Sequence, residues 1–229
     1  MSPNIKPGRI IFQVFLCGVL ALAVWGGMQI YHAYINKNKI LNLMISRLEA
    51  DSRIAEVLVT DVVFNPITQK HMTTIKFLEY DALQQPMAPK YFTFSGNIIQ
   101  FQSLVVRFDD VYVKQGDPLK GKSAYLFWKV FMLDGKNTEE YIVTPVHGIP
   151  EGYKIPGGDN VFEQKLWREF WVLALDSKKA ISKGIKNAQI EAPGTKFVPG
   201  ILYTLKIEHD GGIRIDTQPI PAVLRGERL

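Results

Sequence analysis

The sequence predicts an α+β chain: an N-terminal transmembrane helix continuing into a juxtamembrane helix, then a mainly antiparallel β-barrel or sandwich domain with a helical insertion. Three observations predict it. An uncharged apolar run spans Ile10 to Tyr31. Apolar residues at helical spacing follow from Ile40 to Leu48. From Ile54 onward, β-branched and aromatic residues alternate with polar ones at a period of two.

The run IIFQVFLCGVLALAVWGGMQIY carries no charge, and Gln13 and Gln29 are its strongly polar residues. About 20 apolar residues, at 1.5 Å each, match a hydrocarbon core of roughly 30 Å. Residues 1–9 read as a short cytoplasmic head and 10–34 as the anchor. Phe12 and Phe15 lie toward one interface, and Trp25, Tyr31 and Tyr34 toward the other, as an aromatic belt requires. A buried core helix is shorter and keeps a polar stripe. A cleaved signal peptide competes through Ala21-Leu22-Ala23, but cleavage there leaves the greasy end Val24-Trp25. Lys6 and Arg9 precede the run, while Lys37, Lys39 and Arg47 follow it, so positive charge alone does not orient the helix. The short basic head favours a signal anchor in a bacterial inner (cytoplasmic) membrane, with the C-terminal domain in the periplasm.

Residues 35–53 form the expected juxtamembrane helix. Ile40, Leu41, Met44, Ile45 and Leu48 make one stripe, and charged residues occupy much of the remainder. Leu41, Met44, Ile45 and Leu48 are the expected self-association residues. Two heptads rarely hold an oligomer in water, but a shared membrane raises their effective concentration. The same stripe could instead pack on its own β-domain.

The β-rich domain is expected over 54–218. Its strands read as Ile54–Phe64, Thr73–Tyr80, Tyr91–Ser95, Ile98–Phe108, Tyr125–Leu133 and Tyr141–Val146. A late hairpin pairs Ile201–Glu208 with Ile213–Asp216 around Asp210-Gly211, the residues a tight hairpin turn favours. The helical insertion spans about 160–184. Asn160 and Glu163 have capping-box spacing, and Phe162, Leu166, Trp167, Phe170, Trp171 and Ala174 make its apolar face. That face reads as core, its aromatic burial contributing on the order of 8 kcal/mol before entropy. Residues 219–229, with two prolines and three charges, read as a fraying tail.

Charge excludes one class of partner. Of the net +5, Lys6 and Arg9 supply two, leaving 25 basic against 22 acidic residues, interspersed. Phosphate backbones require a basic stripe, so no nucleic acid is expected. The one cysteine, Cys17, lies in the apolar run, so the β-domain has no disulfide, thiolate metal site or cysteine nucleophile.

Chemical motifs are sparse. Gly116 to Ser123 fits the Walker A letters, but the aromatic, β-branched residues after Ser123 favour a strand where a helix is needed. His32, His71, His147 and His209 have no ligand spacing, so no metal or cofactor is expected. The densest polar cluster is Glu208, His209, Asp210 and Asp216, which could bind a cation or supply a base. A solvated hairpin tip explains the same residues without function and is the favoured reading. Asp109 and Asp110 are neighbours that a strand points to opposite faces. The Gly/Pro loops 152–158 and 192–200 each carry one exposed-looking aromatic, as recognition loops do, although ordinary connectors are the favoured reading.

The expected function is therefore a single-pass, membrane-anchored structural or scaffold subunit, more in keeping with assembly than with catalysis. Its partners would be the bilayer, further copies of itself or other membrane-complex proteins. The alternative is a membrane-tethered enzyme or ligand-binding domain with a polar site near His209 and Asp210.

Overall fold

The computed structural model describes residues 16–32, 35, 53–81, 83–108, 123–133, 137–154, 161–182, 185–208 and 212–221. The chain divides into two compact units, Met1–Leu41 and Asn42–Leu229.

In the first unit, residues 16–32 form a helix, α1. Its large side chains are all exposed, Trp25 at 63% and Ile30 at 73%. No helix among the described residues is long and apolar enough to cross a membrane. The 17 residues of α1 rise about 26 Å, short of a hydrocarbon core. The expected transmembrane span is thus not present as a complete element among the described residues. Phe12, Phe15 and Tyr34 lie outside them, as do Leu41, Met44, Ile45 and Leu48 of the juxtamembrane stripe.

The second unit is mixed α+β, built on antiparallel sheets. Its strands are β1 (Arg53–Asn65), β2 (Lys70–Glu79), β3 (Lys90–Phe94), β4 (Ile98–Phe108), β5 (Ser123–Leu133), β6 (Thr138–Ile142), β7 (Ile185–Glu191), β8 (Gly194–Lys196), β9 (Ile201–Ile207) and β10 (Ile213–Pro219). One sheet has the order β10-β9-β1-β2-β3. The other runs β6-β5-β4-β7, with β8 also on β4.

Alternation decides which face is buried. Ala55, Val57, Val59, Ile75, Phe77, Phe92 and Phe94 of the first sheet share one core with Ile99, Phe101, Val105, Tyr125 and Phe127 of the second. Phe77 joins the layers: its ring stacks on Phe101 at 5.5 Å and meets Phe127 edge-on at 5.3 Å.

Among the described residues the sheets do not close into a barrel, so the barrel alternative is corrected to two facing sheets. Side chains, not ladders, bridge the edges where closure would occur. Between β3 and β6, Ser95 N–H donates to Glu139 Oε2 at 2.8 Å, and Tyr141 Oη–H donates to Thr93 O at 2.7 Å. Beside β10, Ile213 N–H donates to Glu191 Oε2 at 2.9 Å. A carboxylate occupies the edge position that a further strand needs. Glu139→Ala leaves the Ser95 amide without that acceptor. The expected loss is about 1–2 kcal/mol, read as a lower urea midpoint.

Helices cover the outer face of the second sheet. They are α2 (Val161–Leu175) and α3 (Ser177–Ser182), the latter capped by Lys179 N–H donating to Asp176 Oδ1 at 3.2 Å. Trp171 meets Trp128 edge-on at 6.0 Å and donates its indole N–H to Gly148 O at 2.9 Å. Trp167 packs on Tyr153 at 4.8 Å. Trp167, Phe170, Trp171 and Ala174 of the expected face are therefore core, with Leu166 half-buried. The expected cap Asn160 and the Phe162 side chain lie outside the described residues.

Three strands depart from the sequence expectation. β6 starts at Thr138 and ends at Ile142, ahead of the expected Tyr141–Val146, so 143–146 lie in no strand. β7 and β8 lie on one edge of β4; no strand is expected from the sequence over 185–191, and β8 falls within the expected Gly/Pro loop 192–200. Gly194 is required there: a Cβ would come within 2.9 Å of Ile99 O. The loop aromatics Tyr153 and Phe197 are both buried rather than exposed. Past β10, Ile220 is also buried, its N–H donating to Gly200 O at 2.9 Å.

Candidate functional site

The β1–β2 hairpin builds the candidate site. Along β1 the core-facing residues are Ala55, Val57 and Val59. A bulge then intervenes, because Val59 pairs with Ile75 but Asp61 with Thr74. Thr60 is the extra residue, and its Oγ1–H donates to Thr74 O at 3.3 Å. A bulge shifts side-chain parity by one. Val62 and Phe64 therefore take the face that Val57 and Val59 held, opposite Thr73 and His71.

The ribbon outruns its neighbours. β9 pairs with β1 only as far as Leu58, and β3 with β2 only as far as Thr73. The last two-stranded turn of the hairpin thus overhangs the core. Asn65 Oδ1 orders its tip by accepting from Ile67 N–H at 2.9 Å and Thr68 N–H at 3.3 Å. Gln69, with φ 56°, completes the turn and donates to Pro66 O at 2.8 Å. This turn holds Ile67 out at 91% exposure.

Under the overhang lies an open cleft of about 610 Å³. Val62, His71 and Thr73 form one wall, Ile98, Met132 and Leu133 the other, and Phe197 contributes below. That volume falls in the range of small-ligand or side-chain pockets. Its hydroxyl at Ser95 accepts from Lys70 Nζ at 3.4 Å, and the His71 ring packs on Phe64 at 5.2 Å. No carboxylate lines the cleft, among the described residues, to orient the imidazole as a base. The arrangement suits apolar contact better than acid–base chemistry.

The polar cluster is differently organised. His209 and Asp210 lie outside the described residues, and Glu208 N–H donates to Gly212 O at 2.7 Å, closing the hairpin around 209–211. The two described carboxylates both have cationic partners. Asp216 sits 3.0 Å from Lys206 Nζ and 3.1 Å from Arg214 Nε, and Glu208 lies 3.5 Å from Arg214. They form a cross-strand charge lattice beside a shallow polar depression lined by Thr204, Lys206 and Asp216.

The hydrogen bond from Lys206, reinforced by Arg214, holds the Asp216 carboxyl below its ordinary range. A lowered folded-state value makes the pair's contribution complete above the unfolded carboxylate value near pH 4, and it fades as pH falls below that. Asp216→Asn is expected to remove this acid-limb dependence from thermal unfolding. At neutral pH it lowers stability by less than about 1 kcal/mol, because both partners are partly exposed.

The remaining motifs separate in space or in kind. Gly116 to Lys122, Asp109 and Asp110 lie outside the described residues. Ser123, which a Walker A helix would need in its first turn, opens strand β5 instead. His147 packs edge-on to Trp171 at 6.5 Å, and His32 beside Tyr31 at 6.2 Å. Among the described residues, no cluster of three or more histidine, cysteine or acidic side chains could hold a metal.

Sequence reading misses the cleft, although it leaves a trace. The apolar residues on that one face switch from odd positions in the core (55, 57, 59) to even ones on the overhang (62, 64), as a bulge requires. No family model, curated protein or solved structure matches the chain.

Proposed function

We propose that this chain is a single-pass, membrane-anchored assembly subunit of the bacterial envelope, its β-rich domain lying in the periplasm and contacting other proteins. The observation that carries the reading is α1. Leu20, Leu22, Val24, Trp25, Met28 and Ile30 are all exposed on a helix without a single charged residue. In water, leaving such side chains uncovered forgoes roughly 1.5–3 kcal/mol each, whereas a bilayer buries them. Residues 10–15 extend the run to a spanning length.

The β-domain supports contact rather than turnover. Its cleft is apolar and lacks an oriented base, and its hairpin carries apolar side chains on a well-ordered turn. A protein partner needs no basic stripe, and the balanced, interspersed charge fits such a partner better than nucleic acid.

Two variants test the reading. Leu20→Arg with Val24→Arg places two charges at mid-helix, each costing about 2.5–3.5 kcal/mol there, and is expected to shift the protein from the membrane to the soluble fraction. Met44→Glu with Leu48→Glu is expected to lower the mass of the detergent-solubilised particle. A particle that is monomeric with and without these changes would remove stalk-mediated assembly.

A further inference from the structure

We propose that the overhanging edge of β1 is a homodimer surface, on which Val62-Val63-Phe64 of one copy pairs antiparallel with the same segment of a second copy. This deepens the assembly reading above and rests on it for the concentration a shared membrane supplies.

The edge is open. Beyond Leu58, where pairing with β9 stops, residues Val59 to Asn65 have no ladder partner on that side among the described residues. Exposed edges are usually guarded by charged side chains (lysine above all), proline, a bulge or an early end to the strand. Here the Thr60 bulge and Asp61 stand only at the start of the exposed segment. From Asp61 to Asn65 this edge has neither lysine nor proline. It presents instead Val62, Val63 and Phe64, all strongly β-forming and exposed at 42%, 53% and 46%.

The occupant follows from self-complementarity. Two-fold pairing about Val63 sets Val63 against itself, Val62 against Phe64, and Asp61 against Asn65. A dyad at Asp61 opposes two like charges. A dyad at Phe64 brings Pro66, which has no N–H, into the ladder opposite Val62. The Val63 register pairs the apolar residues with one another, sets each aspartate opposite a neutral amide and leaves the proline outside the apolar segment. Val62 and Val63 also lie on opposite faces of the ribbon, so a partner covering one face would leave the other wet. Edge pairing joins both faces at once and satisfies the backbone, which neither a small ligand nor a flat surface does.

The test uses full-length protein in detergent micelles and in liposomes, in a Cys17→Ser background. Val63→Cys is expected to form disulfide dimers on mild oxidation, since directly opposed residues bring Cα atoms about 4.5–5.5 Å apart. A mixture of Val62→Cys and Phe64→Cys is expected to give the mixed dimer in preference to either self-pair. Ile98→Cys, exposed but off the edge, sets the background. Val63→Lys is expected to weaken dimerisation at least tenfold while leaving the urea midpoint unchanged.

Val63 cross-linking no greater than that of Ile98, or an unaltered dimer in Val63→Lys, overturns the proposal. So does dimerisation that appears only when residues 222–229 are removed, because the chain's own tail would then hold the edge. Loss of mass in the Met44→Glu, Leu48→Glu protein with Val63 cross-linking intact places assembly on both segments. Unchanged mass in that variant, with Val63 cross-linking intact, removes the stalk and keeps the edge.

Discussion

Phe77→Ala is expected to cost the β-domain about 4 kcal/mol, the middle of the range for a fully buried ring. Phe77 is wholly buried toward the C-terminal end of β2, and its contacts are with the opposite sheet as well as its own. Truncation removes the ring's transfer energy and leaves a cavity between Phe101 and Phe127, whose backbones are fixed by their own ladders. The edges offer little compensation, because side chains and not a continuous ladder tie the sheets together there. With a urea dependence of about 2 kcal/mol per molar, the midpoint falls by about 2 M. Phe77→Leu refills much of the space and is expected to lose less than half as much.

Trp171→Ala is expected to cost a similar amount, about 3–4 kcal/mol, by a different route. Its indole covers Trp128, which is the extra residue of a second bulge: Gln102 pairs with Lys129 but Ser103 with Phe127. The bulge frees the Trp128 carbonyl to accept from Val143 N–H at 2.8 Å and Thr144 N–H at 3.1 Å. Trp171 thus holds the helical layer to a corner that also turns the chain after β6. Trp171→Phe keeps a ring but leaves Gly148 O without its donor, and about 1 kcal/mol of loss is expected. Equilibrium unfolding of the two variants separates packing from the hydrogen bond.

These sites show which parts of the fold the chain's letters disclose. Alternation and length make β1, β4 and the β9–β10 pair readable, and the aromatic face makes α2 readable. β7 is not, because Ile185-Lys186-Asn187-Ala188-Gln189-Ile190-Glu191 has no regular alternation and only two β-branched residues. It is a strand because the edge of β4 supplies its partner. β8 likewise exists only where Gly194 lets two backbones approach. Local propensity is weak there, and tertiary pairing decides.

The site is less legible than the fold. A cleft under a hairpin depends on where β3 and β9 stop relative to β2 and β1, and no local pattern records that. The polar letters at 208–216 invite a catalytic reading, yet Lys206 and Arg214, two positions from Glu208 and Asp216 in their strands, already neutralise those carboxylates. Alternation puts such residues on one face, so opposite charges spaced by two in paired strands are more simply a lattice than a base.

Burial of one greasy, charge-free helix in lipid underlies the proposed role, and fractionation of the intact chain addresses it most directly. Bacterial membranes containing the full-length protein are washed with alkaline carbonate and then extracted with a mild detergent. Retention through the wash, with release only by detergent, is the predicted result. Quantitative recovery in the carbonate supernatant would contradict it.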